Sequence, residues 1–165
     1  MSERAAPTTP RWLNTDEAEA WRGILAIVQR AFPEIERDLR THDLLAVHYH
    51  ILVALSAARD NTMRLAELAD SANLSPSRLT HRIGLLVDRG EVDINQDPDD
   101  GRAKRATLTA VGRRRLEHVA PHHVETVRRV IFDHLSADQT VALADALAPV
   151  ANSLVDHPEY LNPGG

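Results

Sequence analysis

At 165 residues, 43% hydrophobic, 26% charged and with a formal charge of −5, the chain has the bulk of one domain carrying helical extensions. It has no cysteine, which excludes disulfides, thiolate metal sites and cysteine nucleophiles. No run reaches the ~18 apolar residues of a membrane span, and "MSERAAPTTP" lacks the apolar stretch of a secretory signal, so a cytoplasmic location is expected.

Aromatic content is only 4%, so the core must be aliphatic and alanine-rich, which favours helices. After a leader at 1–12, Trp21, Ile24, Leu25, Val28, Phe32, Ile35 and Leu39 recur at spacings of three and four, the stripe of a long helix from Leu13 to about Leu39. Asn14 or Thr15 caps it, and Pro33 should kink or interrupt it. A second helix is expected from Asp43 to Ala58, then an extended Thr62–Arg64 and a short helix Leu65–Ser71. In "SPSRLTHRIGLLVDRG" Ser75 stands as N-cap, Pro76 at the first helical position and Gly90 just past the end, with Leu79, Ile83 and Leu86 facing inward. "EVDIN" and "AKRATL" alternate as strands around "QDPDDG", where Gly101 is expected to make the turn. Thr109 opens a long helix to about Leu135 with Pro121 inside it, and "SADQ" has the form of a capping box for a final helix reaching about Val155. The expected organisation is an N-terminal helix over 13–42, a central unit over 43–110, C-terminal helices over 111–156 and a tail at 157–165.

Charge is unevenly placed along this order. Residues 75–115 hold nine Lys or Arg against six Asp or Glu, whereas the remainder holds ten against eighteen. A basic centre in an acidic chain suggests a surface that faces a polyanion. Two helices joined by a tight turn and followed by a basic hairpin form a winged helix-turn-helix, and the second helix of such a unit enters the major groove by its N-terminal end. Taking Leu79 as inward, Ser77 and His81 point outward at 100° per residue, Arg78 and Thr80 flank them, and Gly84 leaves no side chain to hold the backbone away from DNA. Ser75 caps that helix. Arg102 at the hairpin tip suits the minor groove, while Lys104 and Arg105 suit phosphates, which position a protein without conveying sequence. Asp100 either braces the turn or fixes the guanidinium of Arg102. The arginines at 113–115 lie in a first helical turn, where cations gain little from the helix dipole, and this argues for phosphate contacts.

"DPDDGRAKRATLTAVG" resembles the wing signature of the multiple-antibiotic-resistance regulator (MarR) family, carried here by Asp100, Arg102, Leu108, Thr109 and Gly112. "LAELADSANLSPSRLTHRIGLLVDRG" is similar to that family's helix-turn-helix, and the helix order matches over about 13–156. Where the family commonly has a large aliphatic residue after Gly90, this chain has Glu91. The resemblance implies a mainly α fold, a winged helix-turn-helix with long N- and C-terminal dimerisation helices. It also implies a homodimeric DNA-binding transcriptional regulator, usually a repressor relieved by a small ligand.

The long terminal helices carry wide apolar stripes, Leu116, Val119, Val127, Val130, Ile131 and Leu135 on one and Val141, Ala144, Leu147, Val150 and Leu154 on the other. One winged domain cannot cover them, so burial against a second copy is expected, with a pseudo-palindromic operator to match. Trp21, Arg22, Tyr49 and His50 are candidates for an aromatic-anion site between the dimer helices and the winged domain, against the plainer reading that they pack the helix interface. His118 and His122, four apart on one helix face, and His50 are metal candidates toward a zinc-responsive regulator. His48 and His50 diverge by about 200° and cannot chelate together. No cofactor and no enzymatic motif is recognised, and a helical protein-interaction module that never touches DNA is the remaining alternative.

Overall fold

The computed structural model describes residues 10–154. Most of the expected leader and the whole of the 157–165 tail lie outside the described residues. Helix α1 (Thr15–Ala26) opens on Asn14, whose side chain accepts from Glu17 N at 2.9 Å while the Glu17 carboxylate accepts from Asn14 N at 2.8 Å. This reciprocal box satisfies two donors that a helix start otherwise leaves open. A wide π turn, Ile27–Ala31, then leads into α2 (Phe32–Thr41). Pro33 explains the interruption. Without an N–H it cannot bond back by four residues, and the helix relaxes just ahead of it, with Phe32 N bonding to Ile27 O, five residues back.

The sequence-based start of the next helix at Asp43 is displaced: α3 spans Ala46–Ala57. Asp43 belongs instead to the end of α2, in the left-handed region at φ 53°, with Leu44 N bonded to Leu39 O and Asp43 N to Arg40 O. Two later helices stop the same way. After α4 (Leu65–Ser71) Asn73 takes φ 51°, and after α5 (Pro76–Asp88) Gly90 takes φ 67°, each followed by a bond back across five residues, Leu74 N to Ala69 O and Glu91 N to Leu86 O. This is the Schellman ending, which closes the last carbonyls of a helix and turns the chain sharply.

Strand β1 (Thr62–Arg64) precedes α4, and β2 (Val92–Gln96) and β3 (Lys104–Leu108) follow α5. The sheet is antiparallel in the order β1-β3-β2, with Val92 opposite Leu108, Gln96 opposite Lys104 and Arg64 opposite Arg105. The core is aliphatic, as the composition requires: Leu39, Leu44, Ile51, Leu52, Leu55, Leu68, Leu79, Ile83, Leu86, Val92 and Val119 are fully buried. Helix α3 runs through its centre and buries His48 and Tyr49 as well.

Helix α6 (Ala110–Val130) continues through Pro121 but stops short of the expected Leu135, giving way to a single 3-10 turn, Phe132–His134. Of its expected stripe only Leu116 and Val119 are buried. Helix α7 (Ala137–Ser153) starts on the Ser136–Gln139 box and, like α1, buries no residue.

The join between wing and α6 is a close backbone approach. Thr109 N donates to Glu91 O at 3.1 Å, its hydroxyl lies 2.7 Å from Gly90 O, and the same hydroxyl accepts from Gly112 N. A Cβ on Gly112 would stand 2.1 Å from Glu91 O and 2.7 Å from Leu108 Cδ1, so only glycine lets α6 approach. Gly112→Ala is expected to cost about 2–3 kcal/mol, the upper part of the usual penalty for overpacking, because the obstacle is a backbone carbonyl. Urea unfolding of the two proteins checks it, and a loss below ~0.5 kcal/mol, the range of neutral surface changes, would contradict the close approach.

Candidate nucleic-acid interface

Helices α4 and α5 meet at the "ANLS" turn. Ser75 caps α5 as its place before Pro76 predicts, its hydroxyl accepting from Arg78 N at 3.4 Å and lying 3.2 Å from the Ser77 hydroxyl. Leu79, Ile83 and Leu86 anchor α5 from beneath, so that Ser77, Arg78, Thr80 and His81 stand exposed on the opposite side. Thr80 donates to Pro76 O at 2.9 Å, which commits its proton to its own helix and leaves an acceptor facing outward. Among the described residues, Arg78 and His81 have no side-chain partner within the protein.

The wing explains its own acids. Asp97 is buried at 2% exposure; one carboxylate oxygen accepts from Asp99 N at 3.0 Å and the other from Arg64 Nε at 2.7 Å. Asp100 accepts from Arg102 N at 3.0 Å, and Gln96 Nε2 donates to Gly101 O. The question left open by sequence is thereby settled for the turn: Asp100 braces the backbone of Arg102 and leaves the guanidinium free. Gly101 does not make the turn by a left-handed conformation, as Gly90 is the one described glycine with positive φ. The turn is built by aspartates that bond the backbone two residues on. Sequence reasoning passed over Asp97 and Arg64, because the partner of Asp97 comes from a strand 33 positions away.

Arg102 and Lys104 are exposed on the hairpin, whereas Arg105 is half-buried, with an enclosed Nε that has no partner. Hydrogen bonding by Asp99 N, and then the Arg64 side chain, hold the Asp97 carboxyl below its ordinary value against the opposing effect of burial. The 113–115 cluster divides. Arg113 donates to Asn61 Oδ1, and Arg115 donates to His42 O at 2.6 Å and Asp43 O at 3.1 Å, so these two are structural and only Arg114 is left exposed. Arg89 adds a 2.9 Å ion pair to the same Asp43.

The expected ligand quartet is not assembled. Trp21 and Arg22 are exposed on α1, with Arg22 3.8 Å from Glu19, and Tyr49 is buried against His123 at 4.3 Å between ring centroids. Only His50 reaches a cavity. That cavity, about 550 Å³, lies between α2, α3 and α6 and is walled by Phe32, Leu39, Val127, Ile131 and Phe132, with His50, His123 and Glu36 as its polar groups. His123 Nδ1 is enclosed and unpartnered. Burial lowers the pKa of both histidines, and for His123 the neighbouring His50 adds to the effect, so both favour the neutral ring.

His118 and His122 share a face as their spacing predicts, but the third ring beside them is His42, not His50. His42 stacks on His122 at 4.6 Å and lies 5.9 Å edge-on from His118. Among the described residues no group of three His, Asp or Glu is placed to hold a metal ion. No described helix is long and apolar enough to cross a membrane.

A MarR family model matches residues 42–103. The chain is 36% identical to AbsC, a MarR family transcriptional regulator from Streptomyces coelicolor, over 88% of this chain and 98% of AbsC, with a TM-score of 0.82. It is 32% identical to Sco3205, a MarR family regulator of the same organism solved in complex with DNA, over 91% and 97% of the two chains, with a TM-score of 0.83. NadR in complex with 4-hydroxyphenylacetate shares the fold at 20% identity and a TM-score of 0.63, over 88% and 98%. No curated protein matches the sequence.

The wing's acid lock has a pH signature. Because the folded Asp97 carboxyl lies below its ordinary 3.8, its contribution to stability is complete above that value and is lost as pH falls through the depressed one. Asp97→Asn should therefore lower the urea midpoint at pH 7, and the gap to the parent protein should close in acid. A gap that persists unchanged below the carboxylate range would rule out the charge as its source.

Proposed function

Since the chain belongs to the MarR family of transcriptional regulators, we propose that it is a homodimeric, cytoplasmic repressor that binds a pseudo-palindromic operator in double-stranded DNA and is released by a small ligand. The observation that carries the reading is a serine-capped α5 that exposes Arg78 and His81 with no side-chain partner among the described residues, beside a hairpin that exposes Arg102 and Lys104. In this reading Arg78, with Ser77, Thr80 and His81, reads base edges in the major groove, Ser75 presents the helix end to a phosphate, and Arg102 enters the adjacent minor groove. Asp100 positions Arg102 rather than touching DNA. Lys104 and the half-buried Arg105 meet the backbone.

The dimer follows from surface that one copy leaves uncovered. Trp21, Ile24 and Phe32 on the N-terminal arm and Val141, Leu147 and Val150 on α7 are all more than a third exposed. Two-fold burial of such faces is the common resolution and sets two α5 helices against half-sites about one helical turn apart. The ligand reading now rests on the α2–α3–α6 cavity, not on Trp21, Arg22 and Tyr49. Apolar walls with a few convergent polar groups suit an aromatic acid, and the unpartnered His123 nitrogen supplies a hydrogen bond for its polar end. The role is regulatory, not catalytic.

A second reading, a zinc-responsive regulator of the same fold, is favoured by one observation, the convergence of His42 with His118 and His122. Among the described residues these rings are not placed to hold a metal ion, so ring rotation would have to precede coordination.

On DNA upstream of its own gene, the protein should give a gel shift at low salt and sediment as a dimer. Arg78→Ala should lose ~1–3 kcal/mol on the preferred site alone, and Lys104→Ala should weaken all duplexes and reduce the salt slope by about one. Equal binding by both variants would dismiss the assigned contacts. For the second reading, untagged protein dialysed against zinc should hold about one ion per chain and lose it in His122→Ala; a stoichiometry near zero dismisses it.

A further inference from the structure

Helix α5 is held down on the core by one buried row, Leu79, Ile83 and Leu86. Burial of apolar surface is non-directional, so a helix seated on one row can still tilt about it. The first turns of α5 are parted from α2 by a cleft of about 600 Å³, with Ser77, Arg78 and Arg82 on one bank and Glu36 and Arg40 on the other. At its far end α5 is fastened instead. Arg89, the C-cap, donates to Asp43 O at 3.0 Å, and its second terminal nitrogen lies 2.9 Å from Asp43 Oδ2. Among the described residues, every hydrogen bond and ion pair that joins α5 to the end of α2 passes through Asp43. Arg115 ties that receiving end to α6, donating to His42 O and Asp43 O. The side chains of both arginines are less than a third exposed, so water screens them little.

We propose that Arg89 is a positioning residue: by fastening the last turn of α5 to Asp43 it sets the angle at which the N-terminal end of α5 stands from the body, and Arg115 refers that angle to α6. Two directed bonds from one planar guanidinium fix orientation as well as distance. Ser77 precedes Arg89 by twelve residues, roughly 18 Å of helix, so a tilt of about 10° at Arg89 moves that end by about 3 Å. This is close to one base-pair step, about 3.4 Å. The consequence for recognition rests on the DNA-binding reading above. Two α5 helices held at a fixed angle present their ends at a fixed span, and that span selects the spacing of the half-sites.

The chain has no cysteine, so a pair of spin labels can be attached without removing a native thiol. Labels on Arg37→Cys in α2 and Ser77→Cys in α5, both exposed positions, report the distance between the helices by pulsed electron resonance. Dilution with unlabelled chain confines the reading to one protomer, and no DNA is present. Arg89→Gln is expected to widen the distance distribution about twofold, and adding Asp43→Asn should widen it no further, because the two groups act as one unit. Asparagine tolerates the left-handed conformation of Asp43, and an unchanged far-UV circular dichroism spectrum verifies the fold in each variant. On the duplex upstream of its own gene, one base pair inserted between the half-sites should weaken the parent about tenfold and the Arg89→Gln protein less than about threefold. A duplex with a single half-site should bind both alike. The proposal is overturned by an unchanged distance distribution in Arg89→Gln, by the same spacing penalty in both proteins, or by a loss on the single half-site that equals the loss on the pair, which would make Arg89 a direct DNA contact. The distance measurement stands whether or not the operator reading does.

Discussion

The bonds around Glu91 hold the working parts of this protein in register. Its carbonyl accepts from Thr109 N, its own N–H closes the end of α5 on Leu86 O, and Gly112 packs directly on that carbonyl. One residue therefore joins the end of α5, the root of the wing and the start of α6. Arg115 extends the join by reaching Asp43, where Arg89 from the end of α5 also arrives. Glu91 stands where the family commonly carries an aliphatic side chain, and it is still buried, at 4% exposure, with one oxygen 4.0 Å from Arg115 Nε. An enclosed carboxylate needs a cation nearby, and the arginine that provides it belongs to the cluster whose position first suggested phosphate.

Sequence reasoning reached what local chemistry dictates and missed what distant residues decide. The caps at Ser75, Thr109 and Ser136, and the choice of Asn14 or Thr15, were legible, because an N-cap and the N–H that donates to it lie within three residues. The two strands of the hairpin were legible from alternation. The left-handed ending at Asp43 was not, since an acid before a helical run reads equally well as a start signal. The lock between Asp97 and Arg64 has no local trace, and neither do the partners of Arg113 and Arg115. The ligand quartet is not brought together within the chain for a related reason: helical periodicity places side chains on faces but does not say which faces meet, and Trp21 lies on an arm that this chain alone does not cover.

The apolar cavity touches α3 at Ala46 and His50. His48, between them in sequence, is buried beneath α5, where burial and the charges of Arg82 and Arg89 disfavour its protonated form. Helix α3 is thus the element on which both the cavity and α5 rest.

The wide turn at Ile27–Ala31 has a geometric consequence of its own. One additional residue in a helical turn advances every later side chain by about 100° around the axis, so the arm before it and the segment after it direct their apolar rows differently. Leu39 goes into its own protomer's core, while Trp21 and Ile24 look outward. Removing a single residue there would bring the rows back into phase and swing the arm around the body. A proline thus sets the azimuth at which two such molecules would have to meet.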